Sequence, residues 1–159
     1  MRSVKPTTKS PIDTLRALPM FATCSERELR RIDRVSTRVR VAPGRVLTRE
    51  GAPGAEFFVL VAGEVTVTRR GRTLNRLGAG AAFGEIALLD LGPRTATIVA
   101  TEPSDLLVFN RAEFASLLGI APRAGNELMR QAVVHVRRLD PDETKAPADR
   151  RTTALTRAG

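Results

Sequence analysis

The order of apolar and polar positions changes period several times along the chain. Leu15 and Leu18 precede Pro19, and Asp13 ahead of them predicts a capped short helix that Pro19 ends. Ser25 stands three positions before Glu28, a capping-box pattern, and Leu29, Ile32 and Val35 follow at helical spacing. A helix over 26–34 is predicted. The period then falls to two. Val35, Thr37, Val39 and Val41 alternate with Ser36, Arg38 and Arg40, as in a half-buried strand. Ala42-Pro43-Gly44 turns into a strand at Val46-Leu47, which Gly51-Ala52-Pro53-Gly54 ends. The apolar run from Phe57 to Ala62 predicts a buried strand. Gly63-Glu64 marks a tight turn into Val65 and Val67, and Arg70-Gly71 marks another into Thr73–Leu77. Residues 78–82 read as a loop, and Thr95–Ala100 and Leu106–Phe109 as two further strands. Asn110 caps a helix over Phe114, Leu117 and Leu118. A final helix from about Gly125 to Leu139 sets Leu128, Ala132, Val136 and Leu139 on one face and stops at Asp140-Pro141-Asp142.

At least seven short strands separated by turn residues predict a mainly β protein with flanking α-helices, an antiparallel jelly-roll barrel. Three regions follow: a flexible basic N-terminal arm over 1–12, one folded domain over 13–139, and a polar tail over 140–159 expected to be disordered. The 159 residues, 42% of them hydrophobic, suffice for one domain with a real core.

Composition narrows the function. The only cysteine is Cys24, so an internal disulfide and a cysteine-cluster metal site are both excluded. His135 is the only histidine, which argues against a metal centre and against a Ser/His/Asp or Cys/His catalytic set. No enzyme activity and no metal are expected. The first eleven residues are polar and basic, unlike a secretory signal, and no apolar run reaches the length of a membrane span. A cytoplasmic protein without a membrane partner is expected. The net charge is +9, distributed as +7 over 1–50, −1 over 51–120 and +3 over 121–159. Arg27, Arg30, Arg31 and Arg34 form a basic helix face, which is either a solvated surface or a docking face for nucleic acid or an acidic partner. Six phenylalanines are the only aromatic residues, too few for a stacking platform for single-stranded nucleic acid.

The segment from Phe83 to Ile98, FGEIALLDLGPRTATI, is a long loop in a chain otherwise built of tight turns, and such loops usually serve a function. Gly80, Gly84 and Ala87 let a ligand approach the backbone. Glu85–Leu89 can form one helical turn whose free N–H groups face an anion. Arg94 offers a planar permanent charge suited to a phosphate, and Glu85 an acceptor for sugar hydroxyls. A phosphorylated ligand fits these residues. So does a structural loop in which Glu85 and Arg94 pair with each other.

Phe-Gly-Glu-Ile-Ala-Leu, a short spacer and then Pro-Arg-Thr-Ala-Thr resemble the phosphate-binding cassette of cyclic nucleotide-binding domains. Leu15–Phe21 with Ser25–Leu29 resembles that family's opening helical motif. Gly51 followed by Phe57–Val65 resembles its central strands. The resemblance covers roughly residues 14–139. It implies a cyclic nucleotide as ligand, for which the bacterial style of the composition favours cAMP over cGMP while Thr95 permits cGMP, and a regulatory module that signals through movement of its flanking helices to an unidentified protein effector. It also implies a ligand site built from Leu74, Phe83, Gly84, Glu85, Ile86, Ala87, Leu88, Arg94, Thr95 and Ala96. Glu85 would accept from the ribose 2′-hydroxyl, and Gly84 would let the ribose approach. Backbone N–H groups near Ala87 and Leu88 would hold the cyclic phosphate, and Arg94 would neutralise it. Thr95 would lie beside phosphate and purine, and Leu74 would pack on the base. The chain departs from the transcription-regulator branch. There the last helix continues far beyond Arg-Arg-Leu, whereas Arg137-Arg138-Leu139 meets Asp-Pro-Asp, and the 20 residues that follow cannot hold a helix-turn-helix domain. A transcription-regulator-like protein that binds nucleic acid through its basic N-terminal region, with the nucleotide as effector, is the alternative. The apolar stripe of the last helix can pack on the domain or form a homodimer.

Overall fold

A computed structural model describes residues 10–85, 88 and 92–139, the side chains of 132–139 excepted. The chain opens with α1 (Pro11–Arg16), a 3-10 turn (Pro19–Phe21) and α2 (Glu26–Val35). Eight strands follow: β1 (Thr37–Val41), β2 (Val46–Thr48), β3 (Phe57–Ala62), β4 (Val65–Arg69), β5 (Arg72–Leu77), β6 (Ala82–Phe83), β7 (Thr97–Ala100) and β8 (Ser104–Phe109). Two helices close the described chain, α3 (Arg111–Ile120) and α4 (Pro122–Leu139).

The strands form two four-stranded antiparallel sheets, ordered β1-β8-β3-β6 and β2-β7-β4-β5. Consecutive strands alternate between the sheets at several points, which is jelly-roll topology. The two sheets remain separate rather than closing into a continuous barrel. Between them lies a core of Val41, Phe58, Leu60, Val65, Phe83, Ile98, Ala100 and Leu106. The strand period of two sends alternate residues of β3 the other way. Phe57 and Val59 join Leu15, Phe21, Leu29, Ile32, Phe114, Leu117 and Leu128 in a second core beneath the helices. Phe57 anchors it, its ring 4.9 Å from that of Phe114 and 5.6 Å from that of Phe109.

The helix starts follow from their caps. Ser25 and Asn110 each accept from the backbone N–H three residues on, and Glu28 and Glu113 return the contact. Several boundaries differ from the sequence expectation. The cap of α1 is Ser10, which accepts from the Asp13 N–H at 3.1 Å; Pro11 opens the helix and Asp13 lies within it. Val35 belongs to α2. Of β1, an edge strand paired with β8 alone, only Val41 is buried, and Val39 is 37% exposed. The segment expected as a loop over 78–82 ends in β6, whose Ala82 and Phe83 pair with Val59 and Phe58. The last helix begins at Pro122, three residues early. The polar tail over 140–159 and the first nine residues of the arm lie outside the described residues. No helix among the described residues is long and apolar enough to cross a membrane.

Candidate functional site

Gly84 follows β6 directly, and its backbone has φ 91°, a conformation that side-chain-bearing residues rarely adopt. A side chain there would also collide, since a Cβ would lie 2.7 Å from the Glu56 carbonyl oxygen and 3.0 Å from Arg94 Nη1. The chain therefore turns sharply out of the sheet at Gly84 and enters helical backbone at Glu85. Leu88 is also helical, and its buried side chain joins the core beneath the helices.

Arg94 is held by both backbone and side chain. Its N–H donates to Ala52 O at 2.8 Å, and its carbonyl accepts from the Gly51 N–H at 2.8 Å. Its guanidinium donates from Nη2 to Glu56 O at 2.8 Å and from Nη1 to Gly84 O at 3.2 Å. The guanidinium carbon lies 5.9 Å from the centroid of the Phe58 ring. Further along, the Thr48 hydroxyl donates to Ala96 O at 2.9 Å, and the Thr97 hydroxyl accepts from the Glu50 N–H at 3.0 Å. The segment entering β7 is thereby fixed to β2 and the residues after it.

Among the described residues the buried ionisable groups are Glu85, 1% exposed, and Arg94, 6% exposed. Burying a charge is costly unless other groups compensate, so opposite charges buried in one short segment mark it as more than a connection. Burial pushes the Arg94 guanidinium below its ordinary value, and the carboxylates of Glu56 and Glu85 pull the other way. Arg94 stays a cation at neutral pH because its ordinary value is so high. Backbone bonds occupy part of its five-donor fork, and a planar cation on two carbonyls is well disposed to receive an anion.

The sequence-chosen residues are distributed as follows. Phe83 is buried and its ring stacks on Phe58. The Gly84 carbonyl accepts from Arg94, and the buried Glu85 carboxylate acts on the Arg94 guanidinium through its charge. Ala96 is buried and Thr95 half-buried, immediately after Arg94. Leu74 is half-buried on β5. Ile86 and Ala87 lie outside the described residues. Sequence reasoning missed the Glu56 carbonyl and Phe58. The two phenylalanines of β3 look alike in sequence, and only the sheet pairing shows which one faces Arg94.

A family model described as the cyclic nucleotide-binding domain matches residues 38–120, more than half of the 159. Isozyme 1 of the cGMP-dependent protein kinase of Drosophila melanogaster is 40% identical over 79 residues, 49% of this chain and 10% of the kinase. A cyclic nucleotide-gated potassium channel of Rhizobium etli is 34% identical over 118 residues, 74% of this chain and 33% of the channel. Among solved structures, the catabolite activator protein of Thermus thermophilus superposes with a TM-score of 0.66 at 27% identity, covering 87% of this chain and 63% of that one. The chain thus spans only a minor part of these curated relatives' length.

Proposed function

The chain belongs to the cyclic nucleotide-binding domain family, and from that premise we propose that it is a non-catalytic regulatory module whose ligand is a cyclic nucleotide, cAMP in preference to cGMP. One observation carries the proposal. The two buried ionisable residues among those described, Glu85 and Arg94, both lie in the segment that resembles the phosphate-binding cassette.

The roles are those that the resemblance to the phosphate-binding cassette implies, and charge and shape agree with them. The cyclic phosphate carries one negative charge, which the Arg94 fork neutralises in a site of small and apolar side chains. Glu85 accepts from a ribose hydroxyl. Gly84, with no Cβ, lets the sugar approach the backbone. Thr95 sits at the junction of phosphate and purine, and Leu74 on β5 offers an apolar surface to the base. No metal or further cofactor is required, because Arg94 already supplies the counter-charge.

Signal output follows from Leu88. Its side chain shares a core with residues of α1, α2, α3 and α4. A ligand that moves the cassette moves Leu88, and the helices repack around it, shifting the population of helix positions that a protein effector reads. Isothermal titration with cAMP and cGMP tests the proposal. Saturable one-to-one binding, tighter for cAMP, is expected. Flat titrations of folded protein with both nucleotides would overturn it.

A further inference from the structure

The loop between β2 and β3 supplies none of the proposed ligand-binding residues, yet it forms the seat of Arg94. Gly51 and Ala52 each share a backbone hydrogen bond with that one residue, and the Glu56 carbonyl accepts from its guanidinium. Gly54 lies between them. A Cβ built on Gly54 would overlap Arg94 Nε and lie 2.5 Å from Cζ and 2.7 Å from Nη2.

Two ordinary reasons for a glycine do not apply here. Gly54 is not among the glycines with positive φ, so its backbone conformation is open to other residues. Nor is backbone or a core side chain the closest obstacle, since the three atoms nearest its Cβ all belong to the Arg94 guanidinium. The space that an alanine would fill at position 54 is the space where the guanidinium lies. We propose that Gly54 is a positioning residue for anion recognition, keeping open the slot that aims the Arg94 fork.

The slot has defined walls. The Glu56 carbonyl and the Gly84 carbonyl each accept from the fork, and the Phe58 ring lies near it. An added methyl group at 54 displaces the guanidinium, which is the far end of a flexible side chain, and leaves the rest of the fold in place. Two carbonyl contacts are then lost, and the charge no longer points where the phosphate binds. A displacement of this size in a binding group is felt strongly, because charge-assisted hydrogen bonds depend on distance and angle.

This inference rests on Arg94 being the phosphate ligand, and the test separates the two. Four proteins are titrated with cAMP by calorimetry: wild type, Gly54→Ala, Arg94→Ala and the double variant. Gly119→Ala is the control, since a Cβ on Gly119 meets nothing within 4 Å. Gly54→Ala is expected to bind at least tenfold more weakly than wild type with an unchanged melting temperature, and Gly119→Ala to bind as wild type. In the Arg94→Ala background the Gly54→Ala step should change affinity by less than about twofold, because the residue it acts through is gone. Weak binding by Arg94→Ala with wild-type binding by Gly54→Ala overturns the inference alone. An equal Gly54→Ala loss in both backgrounds also overturns it, by showing an action independent of Arg94. Wild-type binding by Arg94→Ala overturns the phosphate-site account and this inference with it. If Gly54→Ala fails to fold, the double variant must fold when the clash is with the guanidinium; a double variant that also fails to fold contradicts the proposal.

Discussion

The ring of Phe58 is stacked on that of Phe83, with centroids 5.0 Å apart and planes inclined by 16°. The pair crosses from β3 to β6, and the Arg94 guanidinium lies 5.9 Å from the centroid of Phe58. One aromatic residue thus joins the core between the sheets to the candidate site. Phe58→Ala should lower stability by about 3–5 kcal/mol, the usual cost of truncating a buried phenylalanine. It should also weaken cAMP binding, because the guanidinium loses a neighbour. Urea denaturation and titration at a temperature where the variant stays folded check the two effects separately. A loss of stability with unchanged affinity would confine Phe58 to the core.

The capping box of α2 makes a prediction about pH. Glu28 Oε1 accepts from the Ser25 N–H at 2.9 Å, and that bond, with the Ser25 hydroxyl, holds the carboxyl below its ordinary value. A group whose folded value is depressed stabilises the fold above its unfolded value, about 4.3 for glutamate, and loses that contribution as pH falls through the folded value. Glu28→Gln keeps an acceptor and removes the titration. Its urea midpoint should therefore fall less steeply than that of wild type as pH drops below about 4.3. Parallel curves would show that Glu28 contributes nothing to the acid limb.

Thr95 is the residue proposed to bear on base choice. It is half-buried and follows Arg94 directly. A hydroxyl there can bond to guanine, which adenine does not match. Thr95→Ala should weaken cGMP by about 1 kcal/mol and leave cAMP nearly unchanged. Paired titrations with the two nucleotides check this, and equal losses would assign the hydroxyl to the phosphate or to the fold.

Elements whose signals are local were legible in the sequence. Phe57–Ala62 is a strand with the expected bounds, and Ser25 and Asn110 cap helices because their partners stand three residues away. Elements that exist through distant pairing were not. Ala82 and Phe83 form a strand only because Val59 and Phe58 lie opposite, and two residues carry no period. Val39 alternates as a buried position should, yet no strand covers its outer edge. The site divides in the same way. Gly84, Glu85 and Arg94 stood out because they share one short segment. Gly54 and the Glu56 carbonyl did not, since each meets Arg94 from about forty positions away and a carbonyl has no signature in sequence. The stretch Gly51-Ala-Pro-Gly54 reads as a turn, and its second service as a seat is visible only in three dimensions.

Arg94 is proposed to bind the phosphate of a cyclic nucleotide. Removing one partner of a buried charge pair costs about 3–5 kcal/mol, or roughly two to three and a half decades of affinity. Arg94→Lys keeps the charge and loses the planar fork, so it should fall between wild type and Arg94→Ala. Glu85→Ala removes the acceptor for one hydroxyl and should cost less, about 1.5–3 kcal/mol. The most direct measurement is the cAMP dissociation constant of folded Arg94→Ala beside that of wild type, by isothermal titration under identical buffer and salt. A loss of at least a hundredfold is expected for Arg94→Ala. An Arg94→Ala protein that remains folded and binds cAMP as tightly as wild type would contradict the proposed role.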